Sequence, residues 1–204
     1  MIIVSDPLEP YNRVMYQFND KFYFWVLKPT AKGYRKVVPE PARKSVRNFF
    51  LNLTTPVRLV NNGLQGKFRQ SGVELARFFI NTTWGVAGLF DPAKSRMNLP
   101  LYEEDFDQTL GMYGLGSGIY IIWPFWGPSS LRGTAGIVGD LAMDPVFYLT
   151  LGTNFAYTGV TAYRMVNETS LTIGDYESLK EAAIDPYIAL RDAYFQNRRG
   201  KIKE

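Results

Sequence analysis

Four Asp-Pro pairs divide the 204-residue chain and indicate where helices begin. In each pair the aspartate can cap the first turn, and the proline, which has no N–H, suits the first helical position. The pairs are Asp6-Pro7, Asp91-Pro92, Asp144-Pro145 and Asp185-Pro186. Glu9 lies three residues after Asp6, which adds the pattern of a capping box. Because strand alternation is almost absent elsewhere, the sequence predicts one all-α domain over residues 1–204.

Apolar periodicity and breakers give the predicted helix bounds. The first helix runs from Pro7 to about Lys28-Pro29, and a long loop is expected over 85–104. Gly200 is expected to end the last helix and to leave residues 201–204 as a solvated tail. The other helices are predicted near 41–53, from Thr55-Pro56, 68–84, after Asp105, 131–142, 145–151, 154–167, 175–184 and 186–198.

The stretch GLGSGIYIIWPFWGPSS, from Gly114 to Ser130, frames an apolar run with glycines. The run Ile119–Trp126 is far shorter than the roughly 20 residues of a membrane-spanning helix, and Pro124 would break a helix. A loop or small hairpin is therefore predicted, either as a buried core strand or as an element that contacts lipid. The segment Phe22–Leu27 is apolar on every side of its helix, so it must be enclosed by protein or surrounded by hydrocarbon.

The composition excludes most catalytic chemistry, because the chain contains neither cysteine nor histidine. This excludes disulfides, thiolate nucleophiles, histidine metal sites and histidine-based catalytic triads. The glycines at 114, 116 and 118 match no nucleotide-binding motif. The carboxylates of Glu103–Asp107 fit helix capping better than metal binding. No enzyme activity, metal or cofactor is predicted.

Charge is unevenly distributed along the chain. Residues 1–77 carry 13 Lys or Arg against 5 Asp or Glu, whereas Phe106–Tyr163 carries only four charged side chains. The split suggests a basic part that faces anions and a middle part that avoids water, or simply a solvated helical face and a core. Contact with nucleic acid, with lipid headgroups or with water alone would suit Arg43, Lys44, Arg47, Arg58, Lys67 and Arg69. Since no nucleic-acid module is present, headgroup contact by Arg43, Lys44 and Arg47 is the functional interpretation.

Four segments together resemble a known family. They are SDPLEPYNRVMYQFN, ARFFINTTWG, FDQTLGMYGLGSGIYIIWPFWGPSSLR and DPYIALRDAYFQ, in order from the start to about Gln196. Nearly the whole chain is covered, and the series resembles the MlaA (VacJ) outer-membrane lipoproteins of Gram-negative bacteria.

The resemblance implies a compact, ring-like bundle of amphipathic helices in the inner leaflet of the outer membrane, with an amphipathic channel. It implies removal of misplaced phospholipids from the outer leaflet, transfer to the periplasmic carrier MlaC, and association with a trimeric porin. It also implies a lipid anchor on an N-terminal cysteine, which this sequence does not contain, and the start MIIVSDP lacks the pattern of a secretory leader. A soluble lipid carrier and a porin-binding adaptor are the alternatives.

Two groups of candidate residues follow for contact with lipid. The first is expected to contact lipid or to form the channel: Gly111, Gly114, Gly116, Gly118, Ile119, Tyr120, Ile121, Ile122, Trp123, Pro124, Phe125 and Trp126. The second is expected to face the membrane from the first helix: Phe18, Phe22, Tyr23, Phe24, Trp25 and Leu27. Glycines allow bends and close approach, and aromatic rings suit acyl chains or the headgroup level.

Overall fold

A computed structural model describes residues 6–151 and 153–203 and confirms the all-α fold. The predicted hairpin is present as a two-stranded antiparallel sheet in which Tyr120 pairs with Ser130 and Trp123 with Gly127. The elements in chain order are α1 Glu9–Phe22, a π-helical segment Tyr23–Leu27, α2 Lys28–Val37, α3 Glu40–Leu53, α4 Thr55–Leu64, α5 Phe68–Thr83, α6 Pro92–Ser95, α7 Phe106–Met112, β1 Tyr120–Trp123, β2 Gly127–Ser130, α8 Leu131–Leu141, α9 Pro145–Leu149, α10 Asn154–Leu171, α11 Asp175–Ala182 and α12 Pro186–Lys203.

The first helix does not end at Lys28-Pro29, so that prediction is wrong. The backbone stays helical from α1 through the π-helical segment into α2, and Lys28 N–H donates to the carbonyl of Tyr23, five residues back. Proline lacks an N–H and crowds the preceding turn of a regular helix. The wider π turn directly before Pro29 accommodates it without a break.

Three of the four Asp-Pro predictions are confirmed by hydrogen bonds at helix starts. Asp91 accepts from Lys94 N–H, Asp144 from Val146 N–H and Asp185 from Tyr187 N–H. Asp6 is the exception, because its carboxylate accepts from the side chains of Asn12 and Tyr187 instead of capping α1. The predicted capping box is therefore wrong, and Asp6 ties α1 to α12.

The last helix continues through Gly200 to Lys203, so residues 201–203 are not a solvated tail. Ile202 packs against Gly111, where an added Cβ would lie 2.5 Å from Ile202 Cδ1. Lys201 Nζ lies 3.4 Å from a carboxylate oxygen of Glu103. These long-range contacts extend the helix beyond a residue with low helix propensity.

A small aromatic core fixes the hairpin against the helices. Tyr120, Ile122, Tyr187 and Phe195 are buried together, with Met15, Tyr16 and Tyr194 packed around them. On the other side of the hairpin, α8 approaches α7 so closely that a Cβ at Gly136 would lie 2.8 Å from the backbone nitrogen of Asp107. Both contacts are nonlocal, and together they set the position of the hairpin.

Candidate functional site

Large apolar side chains lie on the outside of the described structure, whereas polar side chains fill much of its interior. Trp25, Trp84, Trp126 and Phe155 are 74%, 68%, 66% and 92% exposed, respectively. Fully buried side chains include Asn12, Asn61, Asn62, Glu74 and Gln108. Exposed apolar surface on this scale marks contact with protein or lipid. Within residues 6–151 and 153–203, no helix has both the length and the hydropathy needed to cross a bilayer.

Two asparagines of α1 hold the hairpin in place. The amide of Asn12 donates to the carbonyl of Tyr120 at 3.0 Å and accepts from Ile122 N–H at 2.8 Å. Seven residues further on, Asn19 donates to the carbonyl of Trp123 at 2.9 Å and accepts from Phe125 N–H at 2.8 Å. Each amide replaces a neighbouring strand, so the free edge of β1 is satisfied by side chains instead of backbone. We call these pairs the amide clasps.

The hairpin turn and the first helix form an apolar groove. Phe125 adopts a left-handed backbone conformation with φ of 67°, and its ring packs edge to face on Phe18 and Phe22. A cavity of about 270 Å³ opens beside it. We call it the hairpin groove; its lining is Tyr16, Asn19, Phe22, Tyr23, Leu27, Ile122, Phe125, Trp126, Gly127, Pro128, Tyr176 and Leu190. Both groups of candidate residues contribute to this groove, although they are distant in sequence.

The alternating pleat of β1 divides the residues predicted to contact lipid. Tyr120 and Ile122 are fully buried in the aromatic core, so Tyr120 is a core residue and not a lipid contact, and Ile122 reaches the groove only from its floor. Trp123 donates its indole N–H to Thr134. Ile119, Phe125 and Trp126 are exposed, while Ile121 and Pro124 are half-buried. The buried-strand alternative is therefore correct for Tyr120 and Ile122, and lipid contact by the exposed residues of the run stays a prediction.

The predicted glycines have structural roles. Gly114 and Gly118 adopt positive φ values of 87° and 68°, which supports their prediction as bends. Gly111 packs against Ile202 of α12, a close approach that a side chain at this position would prevent. Gly116 has neither a positive φ nor a close neighbour for an added Cβ among the described residues.

The apolar segment of the first helix is only partly outside. Trp25 is exposed, whereas Phe22, Tyr23, Phe24 and Leu27 are half-buried. The ring of Phe24 lies beneath the ammonium groups of Lys28 and Lys180, at 5.1 and 4.9 Å from its centroid. Phe18 is exposed on one side and contacts Phe125 on the other.

The candidate headgroup residues differ sharply from one another. Arg43 is buried and donates to the backbone carbonyl and hydroxyl of Ser170, so its prediction as a headgroup contact is wrong. Lys44 is exposed and pairs with Glu40 at 2.6 Å, and Arg47 pairs with Glu168 at 3.2 Å. The local sequence around Arg43 gives no sign of these hydrogen bonds, because their acceptor, Ser170, lies far away in α10.

Three polar cavities that share lining residues lie among α3, α4, α5, α8, α10 and α12. The Asp140 cavity, of about 300 Å³, lies between α4, α8 and α10. A second cavity of about 210 Å³, between α3 and α10, shares Arg164 with the first, and a third of about 420 Å³ shares Glu103 with the second. We call the three together the cavity row. Its walls combine charged groups with aliphatic side chains, which suits an amphiphilic ligand.

Asp140, Asp144 and Arg164 are the three charged groups of the Asp140 cavity that form no salt bridge with a described residue. Asp140 accepts from Phe106 N–H at 2.9 Å and from the amide of Asn61 at 3.1 Å. Burial raises the pKa of the Asp140 carboxyl to about 7, against the opposing effect of these two hydrogen bonds. Arg58 differs, because its guanidinium is paired with the fully buried Glu74 at 2.8 Å.

Sequence patterns marked Arg47, Arg58 and Glu103 for other roles and did not single out Asp140, Asp144 or Arg164. Asp140 and Asp144 are two of the few charges in Phe106–Tyr163, and that rarity was the available signal. Arg164 follows directly after this stretch, and no local pattern marks it. Among the described residues, no group of three or more Asp or Glu side chains is arranged to hold a metal ion. Instead, Asp105 and Asp107 pair with arginines of α12 and α8.

The structure combines three features: the apolar exterior, the cavity row among the helices and the aromatic hairpin groove. Together they indicate a membrane-associated all-α protein that suits an amphiphilic ligand. A profile of the MlaA lipoprotein family matches residues 4–201. The chain therefore belongs to the MlaA lipoprotein family.

Relatives and a solved structure agree with this assignment. The chain is 37% identical over 196 residues to the intermembrane phospholipid transport system lipoprotein MlaA of Escherichia coli K12, with 94% of this chain and 76% of the relative covered. It is 34% identical over 204 residues to the protein of the same name from Haemophilus influenzae, with 98% and 80% covered. A solved structure, described as the structural basis for maintenance of bacterial outer membrane lipid asymmetry, matches with a TM-score of 0.85 at 35% identity. That match covers 98% of this chain and 100% of the other.

Proposed function

We propose that this protein removes misplaced phospholipids from the outer leaflet of the outer membrane and thereby maintains the asymmetry of that membrane. The family and the names of its relatives support this function. The observation that carries the proposal is the reversed distribution of polarity, with aromatic rings outside and buried charges inside. Such a molecule can lie in hydrocarbon while it offers a polar route to a headgroup.

The cavity row and the apolar surface have complementary tasks in this proposal. A phospholipid carries a charged head and two apolar tails, so its route must provide a polar wall and an apolar wall together. The Asp140 cavity has both, because Val57, Ile137 and Leu141 line it beside the charged groups. The hairpin groove, with its aromatic lining, is a place where acyl chains or neighbouring lipid can pack. No covalent step is required, and direction comes from the partners and from the instability of a lipid in the wrong leaflet.

The placement and partners in the proposal follow those implied for the family. The protein lies in the inner leaflet, is held by a lipid anchor outside this sequence, associates with a trimeric porin and delivers lipid to the carrier MlaC. Lys44 and Arg47 are exposed enough to contact anionic headgroups, where each basic residue contributes about 1 kcal/mol near the surface. Nucleic acid has no place in the proposal.

Exchange of two exposed tryptophans tests the proposal. The double variant Trp25→Glu and Trp126→Glu places charge on the surface proposed to lie in hydrocarbon, where a charged side chain costs about 2.5 to 3.5 kcal/mol at the membrane centre. Produced in a Gram-negative strain that lacks its own family member, this variant is expected to leave phospholipid in the outer leaflet. Chemical labelling of surface-exposed aminophospholipids measures the result.

The matched control is Trp25→Phe with Trp126→Phe, which keeps both positions apolar and is expected to restore asymmetry. Circular dichroism in detergent and co-purification of the porin check that both variants fold and assemble. If the glutamate variant folds and restores asymmetry fully, the exposed rings do not face lipid; if the intact protein does not restore asymmetry, the proposed function fails. If asymmetry follows porin binding alone in both variants, the protein is an adaptor.

A further inference from the structure

The Asp140 cavity combines charged groups of both signs with an aliphatic wall. The carboxylates of Asp140 and Asp144 and the guanidinium of Arg164 all line it. Asp140 and Arg164 form no salt bridge with a residue in 6–151 or 153–203. Arg58 is excluded as their partner because it donates to Glu74, Thr54 and Thr55. The cavity therefore holds two carboxylates and a guanidinium that form no salt bridge with one another or with another described residue.

The hydrogen bonds of these side chains leave capacity free. Asp140 accepts its two hydrogen bonds from the protein on Oδ1. Asp144 accepts the N–H of Val146, at the start of α9, also on Oδ1. A carboxylate has two oxygens and about four acceptor sites, so both aspartates can still accept. Arg164 lies over the ring of Phe50 at 5.9 Å, a contact that leaves its N–H donors available.

From this arrangement we infer that the Asp140 cavity recognises a phosphoethanolamine headgroup, with its ammonium at Asp140 and Asp144 and its phosphate at Arg164. The inference rests on the proposed transport of phospholipid. A primary ammonium has three N–H donors, whereas the trimethylammonium of choline has none and phosphoglycerol has no positive charge to offer the carboxylates. An anionic headgroup would gain from Arg164 but be repelled by the aspartates.

Size and burial agree with a headgroup ligand. A cavity of about 300 Å³ is at the lower end of the roughly 300–1,000 Å³ typical of small-molecule pockets, so it fits a headgroup but not two acyl chains. Val57, Ile137 and Leu141 provide an apolar wall beside it, toward which the glycerol and the tails would extend. Burial raises the pKa of Asp140, and a bound ammonium would stabilise the charged form of its carboxyl.

Lipid binding by the purified protein in detergent tests the inference. The probes are dihexanoyl phosphatidylethanolamine, phosphatidylcholine and phosphatidylglycerol, which share their acyl chains, and the dissociation constants are measured by isothermal titration calorimetry. The intact protein is expected to bind the ethanolamine lipid about tenfold more tightly than either other lipid, as for one charge-assisted hydrogen-bonded pair. Asp140→Asn is expected to remove this preference and leave binding of the glycerol lipid unchanged or stronger.

Conservative variants separate recognition from folding. Asp140→Asn keeps the oxygen that accepts from Phe106 and Asn61, and Asp144→Asn keeps a residue type that caps helices well. Arg164→Gln is expected to weaken binding of all three lipids about equally, and Arg164→Lys to restore most of it. Equal affinity of the intact protein for the three lipids, or a preference that survives Asp140→Asn, overturns the headgroup site while transport still stands. Restoration of lipid asymmetry in cells by the intact protein reports separately on the proposed function.

Discussion

The hairpin groove and the cavity row differ in the polarity of the side chains that form them. In the groove, aromatic rings from α1 and the hairpin face outward over a small apolar core. In the cavity row, charged and amide side chains are enclosed among helices whose outer faces carry exposed apolar residues. Burial of polar groups costs free energy unless they are paired, so the two regions depend on different forces. The difference shows that hydrophobic burial holds one part of the molecule and polar pairing holds the other.

The largest effect is expected from breaking a buried charge pair beside the cavity row. Arg58→Met leaves the fully buried Glu74 without its guanidinium partner, and loss of one partner of such a pair typically costs about 3–5 kcal/mol. The free energy of unfolding, measured with denaturant in detergent, should fall by that amount. Adding Glu74→Gln to Arg58→Met should recover part of the loss, because no unpaired charge then remains.

The exposed pair of Lys44 and Glu40 is the control for this comparison. Its side chains are 62% and 58% accessible, so Lys44→Met should lower the free energy of unfolding far less than Arg58→Met does. Equal losses for Arg58→Met and Lys44→Met would show that polar pairing does not hold the cavity row.

A second effect is expected at the hairpin when the first amide clasp is removed. Asn12→Leu removes the partners of the Tyr120 carbonyl and the Ile122 N–H, and each buried group left unpaired costs about 1–3 kcal/mol. Hydrogen exchange at the Ile122 amide should accelerate strongly. Asn19→Leu, at the more exposed second clasp, should have a weaker effect on the Phe125 amide; the reverse order would contradict the assignment of the core to the first clasp.

The last prediction concerns how the stability of the protein depends on pH through the cavity row. Because the pKa of Asp140 is raised to about 7 in the folded protein, its contribution to stability is present below about pH 4 and is lost as pH rises to 7. Asp140→Asn should remove this slope, which is at most about 1.4 kcal/mol per pH unit for one proton. Denaturation curves at several pH values measure the difference between variant and parent, in which the other titrating groups cancel. An identical pH slope in both proteins would contradict a raised pKa.

Local patterns predicted most of the fold and little of the site. Helix starts at Asp91, Asp144 and Asp185 were predictable because an aspartate cap and a following proline act within one turn. The errors at Pro29 and Gly200 arose where breakers are overruled by a wider turn and by packing on α7.

The site depends on contacts between residues far apart in the chain. Arg43 looked like a surface base, but Ser170, 127 residues away, accepts its hydrogen bonds. Tyr120 and Trp126 share one apolar run, and only the pleat and the turn decide which lies inside. No periodicity in the sequence predicts that Asp140 and Arg164 line the same cavity, because only the fold brings α8 and α10 to that cavity.

The spacing of the two amide clasps along the first helix matches the spacing of their partners along the hairpin. Seven helical residues from Asn12 to Asn19 rise about 10.5 Å, and the three strand residues from Tyr120 to Trp123 advance about 10 Å. The helix and the strand therefore stay in register at both clasps, over about two helical turns. Removing one residue between the asparagines would shorten the spacing by about 1.5 Å and turn the second amide by about 100°, away from its partner. A single-residue deletion in an uninterrupted helix would therefore release the aromatic apex of the hairpin while every residue of that apex stayed the same.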